Sequence, residues 1–250
     1  MLEKWGGRDV LLKKYLALKA DPPPPHQIWQ RILIELEVGL KVDAPSISKV
    51  PQQGPIILVA NHPYGIIDGV ACCYLASLLR KKFSILANSV LCEDPLIADF
   101  VLPINFNESK EALRTNIESK SETLKRLSQQ QAIVIFPGGG VSTAKGYNGE
   151  VTDLPWKRFV IKLVVQSNAT IIPIFIEGQN SKLFQFVSQF SMNLRLGLFM
   201  RETLRMRGKD LKLHIGHPIP PEEIIIKKDR DTALSWLREQ VYALDPTKPN

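Results

Sequence analysis

The sequence predicts an α/β fold with a mostly parallel central sheet flanked by helices and a helical preface before it, and three observations carry that expectation. Strand-like runs at 56–60, 83–87, 132–136 and 171–176 alternate with helical patterns at 68–81, 109–129 and 156–167, the rhythm of successive βαβ units. The runs are apolar at nearly every position instead of alternating, as strands covered on both faces by helices should be. Size agrees: 250 residues with 44% apolar content bury one substantial core, whereas two full domains would be cramped.

Taken in order, residues 1–20 mix cations (Lys4, Arg8, Lys13, Lys14, Lys19) with apolar residues (Trp5, Val10, Leu11, Leu12, Tyr15, Leu16, Leu18), which suits an amphipathic helix ended by the prolines at 22–25. A second helical pattern, Ile28, Trp29, Ile32, Leu33, Leu36 and Leu40, leads into a connector at 43–55. Residues 1–50 therefore read as a helical preface, either packed on the core or lying in a membrane interface, and 51–245 as the main domain. The alternating elements follow, and a strand at 211–215, a turn through Pro218 and Pro221 and a helix near 231–243 close the chain.

The formal charge of +7 implies an acidic partner: anionic lipid, nucleic acid, a phosphorylated small molecule or an acidic carrier protein. Nucleic acid is the weakest of these, because the basic residues lack a reader motif or an aromatic stacking set. Cys72, Cys73 and Cys92 fit neither a zinc spacing nor a disulfide framework, which suits a reducing compartment. No run approaches the roughly 20 apolar residues of a membrane span, and Met1 to Arg8 lacks the apolar core of a signal peptide, so a cytosolic location is expected.

Three strand-to-loop transitions carry the chemistry. In the first, Ile56 to Ala60 delivers Asn61-His62-Pro63-Tyr64-Gly65, and Asp68 follows His62 by six residues at a helix start. An imidazole acting as general base needs a partner that fixes its tautomer, and Asp68 is close enough to be that partner. A buried or capping histidine is the alternative. A metal site would need two more ligands, and His26, His214 and His217 are scattered, so none is expected.

In the second, Ile133 to Phe136 runs into Pro137-Gly138-Gly139-Gly140-Val141-Ser142-Thr143. Glycines let backbone N–H groups approach an anion or a polarised carbonyl oxygen. The loop fails as a Walker loop, because Ala144 and Gly146 stand at required positions, and as a dinucleotide fingerprint, because Thr143 replaces the third glycine. A structural turn remains the alternative. The third, Ile171 to Ile176, opens into Glu177-Gly178-Gln179-Asn180-Ser181, with Pro173 expected to push the strand toward an edge or a bulge. All three loops would converge on one rim of one sheet.

In order and character these blocks resemble the glycerolipid acyltransferases typified by lysophosphatidic acid acyltransferase, over roughly residues 50–220. The signatures there are Asn-His-x4-Asp, Phe-Pro-Glu-Gly-Thr-Arg-Ser and a later Pro-containing strand. Asn61, His62 and Asp68 match the first with one extra loop residue, Phe136, Pro137 and Gly139 the second, and Pro173 the last. Gly138 stands in place of glutamate and Val141-Ser142 in place of Arg-Ser; the intermediate Phe-x-x-Arg block here reads Leu102 to Ser109, with no arginine before Arg114. Those arginines are thought to grip the acceptor phosphate, so their absence argues against phosphate-bearing acceptors, unless Arg114, Lys145, Lys157 or Arg158 substitutes. The His-x5-Asp spacing and the Phe-Pro-Gly-Gly-Gly-Val-Ser block are similar to a divergent bacterial branch that includes hemolysin-like proteins and lyso-ornithine lipid O-acyltransferases.

The resemblance implies acyl transfer from acyl coenzyme A or acyl carrier protein to the hydroxyl of a lysolipid, with no bound cofactor. His62 and Asp68 would be catalytic, and Gly138, Gly139 and Gly140 would bind an oxyanion or phosphate. Asn61, Tyr64, Arg114, Ser142, Lys145, Glu177, Gln179 and Asn180 are substrate-binding candidates. A Ser nucleophile is not expected, since Gly-x-Ser-x-Gly is absent. Segment 190–212 interleaves Leu194, Leu196, Leu198, Phe199, Met200, Leu204 and Met206 with Arg195, Arg201, Arg205, Arg207 and Lys209, which suits an anionic leaflet, an acidic carrier protein, or an amphipathic helix packed on the core. Peripheral attachment to the inner face of the cell membrane is the expected location. A hydrolase using the same dyad and a membrane-binding protein without catalysis are the competing readings.

Overall fold

The computed structural model describes residues 7–105, 109–146, 149–188 and 192–248. Lys4 and Trp5 of the expected first helix, Phe106, and the side chains of Leu194, Arg195 and Leu196 lie outside them. The order begins α1 (Arg8–Ala20), α2 (Ile28–Leu36), β1 (Gly39–Asp43), β2 (Ile56–Ala60), α3 (Ile66–Leu79), β3 (Phe83–Asn88), β4 (Val101–Ile104), α4 (Lys110–Ser128) and β5 (Ala132–Ile135). It continues with β6 (Thr143–Ala144), β7 (Val151–Thr152), α5 (Phe159–Ser167), β8 (Thr170–Ile176), α6 (Lys182–Val187), α7 (Met192–Arg205), β9 (Asp210–Ile215), α8 (Pro221–Ile225) and α9 (Arg230–Tyr242).

Seven strands form one sheet in the order β1-β9-β8-β2-β5-β3-β4. The five from β8 to β4 are mutually parallel; β9 runs antiparallel to β8 and carries β1 parallel beside it. Alternation along β2 divides the core into two layers. Ile56, Leu58 and Ala60 join Ile28, Trp29 and Leu33 of α2 and Ile67 and Ala71 of α3 on one face. Ile57 and Val59 join Val160 and Leu163 of α5 and Leu237 and Val241 of α9 on the other. All five residues of β2 are buried, which explains their unbroken apolar character.

Three local expectations change. The second helical pattern stops at Leu36 because Glu37 takes a left-handed conformation (φ 56°), and Leu40 belongs to β1, so the segment before residue 50 is not wholly helical. The edge strand β4 has no counterpart in the sequence reading; it is four residues long and contains Pro103. Pro173 lies inside the sheet, in register with Val59 of β2, although an edge or a bulge was expected. Its nitrogen faces the same side as that of Ile171, toward the chain leaving β9, where only the Pro173 carbonyl is used, accepting from Gly216 N–H at 3.0 Å. The missing donor costs the reciprocal bond to Gly216, at the end of the β8–β9 pairing, and takes nothing from the ladder to β2.

Candidate active site

Because β2 lies between β5 and β8, the C-terminal ends of these three strands sit side by side, and the loops that leave them meet. Two contacts fasten the meeting point. The Asn61 amide donates to the Ile176 carbonyl (2.9 Å) and accepts from Ile176 N–H (2.7 Å), locking the end of β2 to the end of β8. Ser142 N–H donates to the His62 carbonyl at 2.8 Å, bringing in the glycine loop.

His62 Nδ1 lies 3.0 Å from Asp68 Oδ2. The same oxygen accepts N–H groups from Tyr64 and Gly65, each at 2.8 Å, so a carboxylate at the third position of α3 closes the loop that carries the histidine. Gly65 begins that helix with φ 89°, a conformation side chains disfavour, and a Cβ there would press on Phe199 and Val141 at 3.0 Å. The Asp68 side chain is fully buried while that of His62 is 18% exposed, so the imidazole alone reaches the surface. With Nδ1 donating to Asp68, Nε2 is the acceptor nitrogen. The ring stacks on Phe136, centroids 3.9 Å apart, which fixes its plane.

The glycine loop is shaped by the segment after β7. A Cβ on Gly138 would stand 3.1 Å from the Leu154 carbonyl oxygen, and one on Gly140 would stand 2.9 Å from the Leu154 side chain. Gly139 (φ 68°) donates its N–H to Phe136 O at 3.0 Å, so that group is not open to an oxyanion. Among the described residues the N–H groups of Gly138 and Gly140 have no protein acceptor and are the donors that remain for one.

A residue that sequence reasoning missed holds the assembly together. Asp153, buried, accepts from His62 N–H (3.0 Å), Ser142 Oγ (2.5 Å) and Trp156 Nε1 (2.8 Å), while its own N–H donates to the Tyr242 hydroxyl at 3.0 Å. It thereby joins the histidine loop, the glycine loop and the last helix. Burial, followed by the nearby Asp153 carboxylate, pushes the Tyr242 phenol up to about 12. His62 and Asp153 are 91 residues apart, so no local spacing signals the contact.

The remaining candidates divide. Asn61 and Ser142, expected at the substrate, are buried with their side chains engaged inside the protein, so they position the loops. Tyr64 packs against the core, and burial raises its phenol. Burial would raise the Glu177 carboxyl, but hydrogen bonds from His214 (2.6 Å) and Lys212 (3.2 Å) hold it below the usual carboxylate range and turn it toward β9. Gln179 is exposed, and Asn180 is 2% exposed with neither amide atom paired. Arg114 is exposed and paired with Glu118 at 2.8 Å, Lys145 is exposed beyond β6, and Arg158 pairs with Asp231 of α9; the structure does not gather them around His62. No group of three metal-ligating side chains occurs among the described residues.

Comparison with known proteins adds to this geometry. The family model described as Acyltransferase matches residues 41–177. Lyso-glycine lipid O-acyltransferase of Phocaeicola vulgatus is 26% identical over 211 residues, 82% of this chain and 73% of that protein. The protein of the same description from Bacteroides thetaiotaomicron is 27% identical over 211 residues, 82% of this chain and 75% of that one. The crystal structure of the 1-acyl-sn-glycerophosphate (LPA) acyltransferase PlsC from Thermotoga maritima superposes with a TM-score of 0.56 at 16% identity, covering 98% of this chain and 90% of that one, a likeness of fold.

Proposed function

This chain belongs to the acyltransferase family, and from that premise we propose that it moves a fatty acyl group from an acyl thioester to the hydroxyl of a lysolipid lacking a terminal phosphate. The observation that carries the mechanism is the 3.0 Å contact between His62 Nδ1 and a fully buried Asp68 that two backbone N–H groups also hold. Nε2 of His62 takes the proton of the acceptor hydroxyl as its oxygen attacks the thioester carbonyl, and Asp68 stabilises the imidazolium that forms. The N–H groups of Gly138 and Gly140 suit the oxyanion of the tetrahedral intermediate. Collapse breaks the carbon–sulfur bond, and the departing thiolate recovers the proton from His62. Each proton is accounted for without an acyl-enzyme.

The acceptor assignment rests on two supports. Arginines corresponding to those thought to grip an acceptor phosphate are missing, and Arg114 and Arg158 are paired elsewhere. The two curated relatives act, by their names, on a lyso-glycine lipid. The donor is acyl coenzyme A or acyl carrier protein. No helix among the described residues is long and apolar enough to cross a membrane, and attachment to an anionic membrane surface supplies the lipid acceptor.

The test offers purified protein a lysolipid panel with acyl coenzyme A or acyl carrier protein, reading product by mass spectrometry against folded His62→Ala. New ester that vanishes in the variant supports the proposal. Free fatty acid without ester would replace transfer with hydrolysis, and ester formation undiminished in the variant would remove His62 from the mechanism.

A further inference from the structure

Resting on the acyl-transfer reading above, we infer that Phe199 of α7 is a positioning residue for the reaction: its ring, seated against Gly65, keeps the turn between His62 and α3 in the shape that aims Asp68 at the imidazole. The need for such a support is visible at the carboxylate. Asp68 Oδ1 is buried with no hydrogen-bond partner among the described residues, so the aim of the side chain depends on Oδ2, which takes His62 Nδ1 at 3.0 Å and the N–H groups of Tyr64 and Gly65 at 2.8 Å each. Both N–H groups belong to a turn through Gly65 (φ 89°, ψ −104°), and a glycine, having no side chain, does not hold one conformation by itself.

What holds the turn comes from outside it. At the place a Cβ on Gly65 would occupy, the nearest atoms are Cε1 of Phe199 and Cγ2 of Val141, each at 3.0 Å, followed by Cδ1 of Phe199 at 3.4 Å. Val141 belongs to the glycine loop, which Ser142 N–H already ties to the His62 carbonyl. Phe199 is the contact that arrives from a separate element.

That element is fixed by bonds that bypass the histidine and glycine loops. Glu202, buried and one turn beyond Phe199 on α7, accepts from Ser181 N–H (2.8 Å) and Ser181 Oγ (2.7 Å). Ser181 in turn caps α6, its Oγ accepting from Phe184 N–H at 3.2 Å, and the Phe184 ring meets that of Phe199 with centroids 5.2 Å apart. Leu204 fills the place of a Cβ on Gly7, just before α1. Neither Phe184 nor Phe199 belongs to the two core layers of the sheet, so their packing is a separate local cluster at the dyad turn. A buried carboxylate gains little stability over an apolar residue of similar volume. Its two directional bonds instead set the height and rotation of α7, and with them where Phe199 rests.

Heteronuclear NMR of protein labelled at histidine reads this aim directly, because it distinguishes the imidazole tautomers without any substrate. In the wild type, neutral His62 should keep its proton on Nδ1, facing Asp68. Phe199→Ala should turn this into a mixture of tautomers and lower kcat about 10²-fold, the scale of a ~1 Å misplacement, with KM for the acceptor within about twofold. Phe199→Leu, which keeps an apolar group against Gly65, should restore most of both. Glu202→Gln, which leaves Ser181 short of an acceptor, should move tautomer and kcat in the same direction as Phe199→Ala, and it carries the test if that variant does not fold. Leu127→Ala, a cavity at a fully buried position of α4 in the opposite layer, should lower thermal stability yet leave tautomer and kcat as in the wild type. A mixture of tautomers in the wild type, an unchanged tautomer in the folded Phe199 and Glu202 variants, or an equal fall of kcat in Leu127→Ala would overturn the inference. A wild type that makes no ester would sink the transfer reading, while the tautomer result still decides what Phe199 positions.

Discussion

At the scale of single residues, the dyad and its clamp should separate by what they do to rate. His62→Ala should lower kcat about 10²–10⁴-fold, the range for loss of a general base, with little change in thermal unfolding, since this side chain reaches the surface. Asp153→Asn should act differently. Its oxygens hold His62 N–H, Ser142 Oγ and Trp156 Nε1, and an amide nitrogen cannot accept from all three. Both stability and kcat should fall, stability by about 1–3 kcal/mol for a buried unpaired donor. A variant with wild-type unfolding and wild-type kcat would show that the clamp does not matter. The contrast explains what was legible. His62 and Asp68 share one turn and one helix start, so their spacing displays the contact, whereas Asp153 meets its partners only after the sheet has assembled. Asn61 and Ser142 stood inside the right motifs and drew a substrate role, but nothing in a motif says whether a polar side chain faces a ligand or a neighbouring strand.

Among elements, the buried helical sandwich was readable and its margins were not. β2, β3, β5, β8 and β9 and helices α3, α4, α5 and α9 follow from apolar runs and periodicity, because burial imposes those patterns. β1 is exposed at four of its five positions and β4 holds a proline, so neither has a pattern to read. The attachment of α9 to the site through Tyr242 was equally invisible, and it predicts an alkaline limb. In the folded protein the phenol keeps its proton up to about 12, whereas its ordinary value is 10.0. Between those values the folded state binds more protons than the unfolded one, so stability falls as pH rises through the window. Tyr242→Phe should be less stable at neutral pH by about 1 kcal/mol, through loss of the acceptor for Asp153 N–H, and should show a shallower fall between pH 10 and 12. Parallel pH–stability curves for the two proteins would refute this account.

For the whole molecule, the question is how a lipid acceptor reaches a half-buried histidine. If the protein attaches to a membrane as proposed, its formal charge of +7 would draw it to an anionic surface from a distance set by salt, and apolar residues would then have to make contact. Around the loops that meet at His62, several large apolar side chains are exposed: Ile66 at the start of α3, Leu154 beside the glycine loop, Leu183 and Phe186 on α6, and Met200 on α7, with Lys145 and Lys182 exposed among them. By contrast α2 turns Ile28, Trp29 and Leu33 inward while leaving Ile34 exposed, and Met206, just after α7, is buried, so packing accounts for part of the apolar content that suggested a membrane role there. The rim of the site itself is therefore the expected contact. Leu183→Asp with Phe186→Asp should weaken co-flotation with vesicles of anionic lipid and raise KM for a bilayer-borne lysolipid, while leaving kcat for a short-chain, water-soluble acceptor within about twofold. Raising salt from low to high should release wild type only in part, because insertion of apolar side chains is not screened. Wild type that fails to float at any salt, or a double variant that floats as well as wild type, would move the contact away from this rim. A matched loss of kcat on the soluble acceptor would instead make these two residues part of the catalytic architecture.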